Sequence, residues 1–240
     1  RDLWDLIVNN DDISLTNIIP RLNQTDLKFL YEVNSETRKL VKRSSRAGDL
    51  KEKFKVQEMS SISTLEFALE HCPWGTLINY NQRMNETYFS EQVAYTNKLE
   101  LLKWAREEKE CEWDENTIIV AARQGNLEMV KYCVANECPD SPISTLTCAQ
   151  AAGNGHLEVL KYLREEAKVP CDATTACRAA SNGHLHILEY LVERKYDQFV
   201  VDTCRGAAME GQLDCLKYLR ETAKAPWDLM AVYFAHEYSR

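Results

Sequence analysis

Four copies of one residue pattern follow each other between Trp113 and Asp228, and this periodicity restricts what the chain can fold into more than any other feature. The copies are anchored on Gly125, Gly155, Gly183 and Gly211, at intervals of 30, 28 and 28 residues. Eight residues before each Gly stands a Thr (Thr117, Thr147, Thr175, Thr203). Four and three residues before it stands an Ala pair, namely Ala121 and Ala122, Ala151 and Ala152, Ala179 and Ala180, Ala207 and Ala208. Two residues after it comes Leu127, Leu157, Leu185 or Leu213, and seven after it Tyr132, Tyr162, Tyr190 or Tyr218. Recurrence at an interval of a few tens of residues marks a structure built by stacking, in which each copy packs on its neighbours instead of around one central core.

Within one copy the pattern predicts two helices. The first is short, from about the Thr to the residue before Gly, and its Ala pair permits close approach of the neighbouring helix. Gly then supplies the left-handed conformation that ends a helix at low cost. In the second helix, His156 to Leu163 for example, Leu157, Leu160 and Leu163 are expected to face the core and Glu158 and Lys161 to face outward. An aspartate at Leu157 is accordingly expected to cost several kcal/mol by burying an unpaired charge. Cys72-Pro73-Trp74-Gly75 and Ala225-Pro226-Trp227-Asp228 break the second helix and turn the chain to the next copy.

Outside the clear copies the pattern fades. Ala47 to Leu50 and Leu65 to Leu69 suggest one degenerate repeat, and Asn97, 28 residues before Gly125, anchors another, with Leu99, Leu102 and Trp104 in the places of Leu127, Val130 and Tyr132. The interval from Trp74 to Trp113 exceeds one period, so an insertion over 79–86 is expected to protrude as a loop. At the other end, 229–240 reads as an incomplete repeat whose Ala231–Tyr238 segment is either a capping helix or the start of a continuing array. The domain reading is thus an N-terminal helical segment over 1–44, degenerate repeats over 45–112, clear repeats over 113–228 and the incomplete repeat over 229–240.

The repeat resembles the ankyrin family, over roughly 45–240 and most clearly over 113–228. The run Ala151-Ala152-Gly153-Asn154-Gly155-His156-Leu157-Glu158-Val159-Leu160-Lys161-Tyr162-Leu163 is similar to that family's core. The interval here is about 28 residues where the family usually has 33, which implies that the β-hairpin fingers are reduced or absent. The shorter form, with its Pro-Trp-Asp turns, looks like the divergent ankyrin arrays of algae, oomycetes and large viruses. The resemblance implies an all-α solenoid, a right-handed stack of helix-turn-helix copies behind a small helical cap, elongated and acting by protein binding. The first segment resembles an F-box: Ile18-Ile19-Pro20-Arg21-Leu22, Asp26-Leu27, Leu30, Val33 and Arg38-Lys39-Leu40 follow that family's order, without its opening leucine-proline pair and with Thr37 where an aromatic is usual. That resemblance implies that Ile18, Ile19, Leu22 and Leu27 dock on a cullin-ligase adaptor. The alternative is a cap that closes the end of the stack.

Function follows from what the repeat positions leave over. In ankyrin-like stacks the concave side of the first helix carries the residue before the Ala pair and the two residues between that pair and Gly. From these addresses Arg123, Gln124, Gln150, Asn154, Arg178, Asn182 and Glu210 are expected to form the contact surface for a protein partner. A net charge of −8 opposes a general affinity for nucleic acid. No apolar run reaches the ~18 residues of a membrane span. His156 and His184 share one address, yet Asn126 and Gln212 fill it elsewhere, so hydrogen bonding at a turn is expected there and not metal binding. No nucleophile, base and orienting acid recur together and no glycine-rich phosphate loop is present, so no enzyme activity, cofactor or small-molecule substrate is expected. Most of the nine Cys fall at apolar repeat positions or inter-repeat turns, as reduced thiols would. They point to a reducing intracellular compartment, the cytoplasm first, with an organelle left open because residue 1 is Arg.

Overall fold

The computed structural model describes residues 19–22, 27, 30, 35–46, 55–70, 77–79, 82–83, 85–138, 143–196 and 199–238. It forms two compact units, Arg1–Glu112 and Trp113–Arg240.

In the first unit a 3-10 turn at Ile19–Arg21 and helix α1 (Ser35–Arg43) bring Ile19, Leu27, Leu40 and Val41 into one buried cluster, with Leu22 and Leu30 packed against it. Arg46 donates to the carbonyls of Ile19 and Leu22, so a cation beyond the helix end satisfies the backbone of the turn. Helix α2 (Ile62–Glu70) buries Leu65. The expected loop over 79–86 is corrected here. Strands β1 (Leu77–Asn79) and β2 (Gln82–Arg83) pair antiparallel, and Glu86 already opens helix α3 (Glu86–Ala94). An apolar Leu-Ile pair followed by Asn-rich turn chemistry favours a hairpin over an open loop. Ala47 to Leu50 and Cys72 to Gly75 lie outside the described residues.

Around Asn97 the chain forms a helix, a turn and a second helix. Val93 and Ala94 fill the Ala-pair addresses at the end of α3 and are fully buried. Asn97 takes the left-handed conformation (φ 59°), which Asn tolerates better than most residues. Helix α4 (Leu99–Lys103) runs on into a π-helical turn at Trp104–Glu108, and Leu101, Leu102, Trp104 and Ala105 are buried.

The second unit contains α5 (Glu115–Gln124), α6 (Leu127–Ala135), α7 (Thr145–Gly153), α8 (Leu157–Lys161, continued by a π turn at Tyr162–Glu166), α9 (Ala173–Ser181), α10 (Leu185–Glu193), α11 (Val201–Met209), α12 (Leu213–Glu221) and α13 (Leu229–Tyr238). First helices pack in sequence, α5 on α7, α7 on α9, α9 on α11 and α11 on α13, while α6 meets α8 and α10 meets α12. Among the described residues this unit has no strand. This unit is an all-α helical-repeat array.

Each feature of the pattern has its physical cause. The Ala pairs are buried, so successive first helices approach closely. The four glycines have φ between 67° and 78°. The next residue's N–H turns back to the first Ala of the pair, His156 to Ala151 at 2.9 Å and Gln212 to Ala207 at 2.8 Å, which closes the helix end. First helices begin on side-chain caps at Asp114 and Asp172, each accepting from the N–H two residues on (2.9 and 3.0 Å), and Asp228 accepts from Ala231 N at 3.1 Å.

The second helix needs a correction. Val159, Leu160 and Leu163 are fully buried, but Leu157 is only half-buried and its counterpart Leu213 is exposed. An i, i+3, i+6 row drifts about 120° around a helix of 3.6 residues per turn. The buried arc is centred on Leu160 and Leu163, and Leu157 stands at its edge. Glu158 and Lys161 do face outward and pair at 2.9 Å, as do Glu128 and Lys131 at 3.1 Å.

Second helices also end in a left-handed residue, and none of these is Gly: Glu110, Glu137, Lys168, Lys195 and Lys224 have φ between 52° and 57°. The residue that follows (Cys111, Cys138, Val169 and Ala225, all buried, and the half-buried Tyr196) sends its N–H to the carbonyl eight residues after the anchor: Ala105, Cys133, Leu163, Leu191 and Leu219. In the Gly125 and Gly183 repeats that bond spans five residues. In the Asn97, Gly155 and Gly211 repeats it spans six, and the extra residue is taken up by a wide turn such as Ala167 N to Tyr162 O (3.0 Å).

Candidate interaction surface

The residues expected to meet a partner lie on the first helices of the second unit and at the turns that follow them. Arg123 and Gln124 end α5, Arg123 exposed and Gln124 half-buried. Gln150 is half-buried on α7, and Asn154 caps that helix in the open. Arg178 is exposed on α9, followed by the exposed cap Asn182, and exposed Glu210 caps α11. Two of these side chains already have structural tasks. Asn154 Nδ2 donates to Gln150 O and Asn182 Nδ2 to Arg178 O, both at 2.9 Å, and Asn136 does the same to Tyr132 O at 2.8 Å. The amide hydrogens thus satisfy helix-end carbonyls and leave the side-chain oxygens facing solvent.

These addresses also obey a packing rule that the sequence did not disclose. The residue before one Ala pair lies against the residue two places before the preceding Gly. A Cβ on Gly153 would stand 3.1 Å from Arg178 Cβ, and one on Gly206 would stand 2.3 Å from Ser181 Oγ. One partner of each of these contacts is glycine, which lets the stem of Arg178 lie across α7 and sets the direction in which its guanidinium leaves the array. Val120, at the same address as Gln150 and Arg178, is 3% exposed and belongs to the core.

A ladder of side chains runs along the turns beside this surface. His156 donates through Nε2 to Arg123 O (2.9 Å), His184 to Gly153 O (3.1 Å) and His186 to Gly155 O (3.1 Å). Each ring therefore carries its proton on Nε2, as expected for turn-holding histidines. His156 sits directly on Gly125, His184 on Gly155 and Gln212 on Gly183, so close that a Cβ there would lie 2.4 to 2.9 Å from the ring or amide. Gly is needed twice over, for its left-handed φ and for this approach. Burial pulls the His184 pKa below its ordinary value, and His186 and His156 add to the effect against the opposing hydrogen bond to Gly153.

In the first unit, Ile19 and Leu27 are fully buried in their own cluster and Leu22 is partly buried, so Ile19 and Leu27 hold the segment together from inside. Thr37 is buried as well. Ile18 lies outside the described residues. The eight cysteines among the described residues are all free thiols, and burial pushes Cys111 and Cys215 up to about 11. Among the described residues no cluster of three His, Cys, Asp or Glu could hold a metal ion, and no helix is long and apolar enough to cross a membrane.

A family model described as ankyrin repeats in many copies matches residues 148–192, from within α7 to within α10. No curated protein matches the chain at a significant level. The matched stretch contains the Gly155 and Gly183 turns, and the Gly125 and Gly211 repeats on either side reproduce its left-handed glycine, buried Ala pair and helix-closing hydrogen bond. Over residues 148–192 the array is therefore similar to ankyrin repeats, a repeat family that serves as a module for protein–protein interaction.

Proposed function

We propose that the chain is a scaffold that holds one protein partner along the row of first-helix ends, through Arg123, Gln124, Gln150, Asn154, Arg178, Asn182 and Glu210. The observation that carries this reading is the contrast between a fixed framework and variable, polar, solvent-facing residues at one set of addresses. Arg123 and Arg178 point out from the first and third levels of the stack, with the exposed amide of Asn154 on the level between them and that of Asn182 beside Arg178. Side chains already fixed by helix capping, and an Arg stem laid over Gly153, lose little freedom on binding. Mixed cationic, amide and acidic chemistry suits a polar protein surface with acidic groups opposite the two arginines better than an apolar ligand.

The test begins with an affinity pull-down and mass spectrometry to identify the partner, followed by its titration against the Arg123→Ala/Arg178→Ala double variant. Binding weaker by more than ~1 kcal/mol, with the circular dichroism spectrum unchanged, supports the surface. Unchanged affinity refutes it. Recovery of a cullin-ligase adaptor that disappears on Leu22→Ala substitution would replace the scaffold reading with that of a ubiquitin-ligase substrate receptor.

A further inference from the structure

Helix α13 reads Leu-Met-Ala-Val-Tyr-Phe-Ala-His-Glu-Tyr and carries one acidic residue, Glu237, and no Lys or Arg. A helix that is apolar all round belongs in an interior, with cover on both sides. One side of α13 has its cover. It packs on α11, with Ala231 buried and Phe234 and Ala235 half-buried. On the opposite side Leu229, Val232, Tyr233 and His236 fall at i, i+3, i+4 and i+7, so they form a single stripe, and all four are exposed. Val232 occupies the address of Ile118, Cys148, Ala176 and Cys204. Those four are at most 2% exposed, whereas Val232 is 45% exposed and Leu229 85%. An outer face of a repeat array stays soluble by being polar, and this stripe places apolar side chains there instead.

We propose that this stripe is a homodimer interface, at which α13 of one chain lies antiparallel on α13 of a second copy about a two-fold axis beside Val232 and Tyr233. Charge selects a second copy as the occupant. With a net charge of −8, two chains repel at a distance, and they meet at least cost through a face that brings no carboxylates together; the stripe holds none. A strongly charged partner, by contrast, finds no opposite charge along it. The stripe is also complementary to itself. A two-fold contact sets each residue against its symmetry equivalent. Leu229 and His236 are equally far from the axis, so each leucine lies against the other copy's imidazole, while Val232 and Tyr233 meet their own counterparts. Antiparallel packing further places the positive end of each helix beside the negative end of the other. The area agrees with a dimer. At about 200 Å² for a large side chain, the open parts of Leu229, Met230, Val232 and Tyr233 come to about 450 Å² per chain. With His236 added, the pair buries roughly 1,000 Å², the size of a specific but readily reversible interface.

Sedimentation velocity of the 240-residue chain, from about 1 to about 200 μM, tests this. The expected result is a reversible, concentration-dependent shift from the monomer to a species of twice its mass, and no further. Raising the salt from about 0.05 to about 0.5 M is expected to leave the dimer intact or to tighten it, because screening removes the repulsion between two acidic chains and no ion pair is lost. Leu229→Ser is expected to weaken association more than tenfold, since each copy loses its most open apolar side chain, and a side chain so exposed does not hold the fold. Tyr233→Glu sets two like charges at the two-fold axis and is expected to leave a monomer with an unchanged circular dichroism spectrum. Where that spectrum changes, Leu229→Ser alone decides. A chain that stays monomeric across the range, a dimer indifferent to both substitutions, a dimer lost in high salt, or association that continues past two copies overturns the proposal.

Discussion

Gly155→Ala isolates what the His ladder contributes. The substituted residue must keep φ near +78°, where a side chain costs about 1–2 kcal/mol. Alanine also restricts the unfolded chain, which offsets roughly 0.4–1 kcal/mol of that strain. The new Cβ then lies 2.9 Å from both Nδ1 and Cε1 of His184, a separation that rigid ring atoms do not accept. The ring must move, stretching its bond to Gly153 O, for about another 1 kcal/mol, and loosening its packing for a similar amount. The expected total is about 2–3 kcal/mol. Gly211→Ala provides the internal control, since its φ is 67° but its Cβ would meet only Tyr238 O at 3.3 Å, and strain alone predicts roughly 1 kcal/mol. Equilibrium urea unfolding of the full chain, followed by far-ultraviolet circular dichroism, measures both. Repeating Gly155→Ala in a His184→Ala background closes a double-mutant cycle, with an expected coupling of about 1–2 kcal/mol. Equal costs at Gly155 and Gly211, or a Gly155 cost that persists in full without His184, would show that backbone strain accounts for everything and that the ring contact carries no weight.

Three further outcomes follow from buried groups. The Thr147 hydroxyl is fully buried and makes no hydrogen bond, so Thr147→Val, which keeps the shape, should raise stability by about 1 kcal/mol in the same urea assay. Leu160→Ala should cost about 2–5 kcal/mol, and Leu157→Ala well under half as much, because the former is fully buried and the latter stands at the edge of the buried arc. The His184 pKa is lower folded than unfolded, so the unfolded chain binds the proton more readily; the contribution is complete above about pH 6.5 and is lost as pH falls through the lowered folded value. Melting temperatures between pH 8 and pH 5 should therefore fall less steeply for His184→Gln, which copies the Gln212 of the next repeat.

Much of the fold could be read from the sequence because its strongest signals are backbone requirements. A left-handed turn that must also admit a neighbouring ring calls for Gly, and helices in close contact call for Ala; both recur at fixed addresses, and Asn97 shows the same turn through a residue that tolerates it. Periodicity was a weaker guide to orientation. Leu157 recurs as faithfully as Leu160, yet it starts its helix and only edges the core. The proposed partner surface is a set of addresses in the sequence, without their geometry. The size complementarity of Gly153 with Arg178, and the capping bonds of Asn154 and Asn182, depend on which residue of the next repeat lies opposite, and one copy of the pattern does not contain that information. The Asp caps could have been found. Asp114 and Asp172 stand three residues before Thr117 and Thr175, and Asp228 stands three before Ala231, the counterpart of that Thr, while Ser144 and Val200 fill the place in the other two copies.

The two lengths of second helix have a consequence for how such a chain can change over time. A residue gained or lost between Tyr162 and Lys168 is absorbed by a wider or narrower helical turn, while the left-handed residue and its successor keep their places. The hydrogen bond to the carbonyl at Leu163 or Leu191 acts as a reset, so everything downstream begins from the same position whether five or six residues were spanned. Single-codon insertions and deletions at the end of a second helix are thus close to neutral for the stack, whereas the same event in a first helix would carry the Ala pair off its seam. Arrays of this kind can drift in repeat length without losing their architecture, and a strict period is the wrong instrument for recognising their relatives.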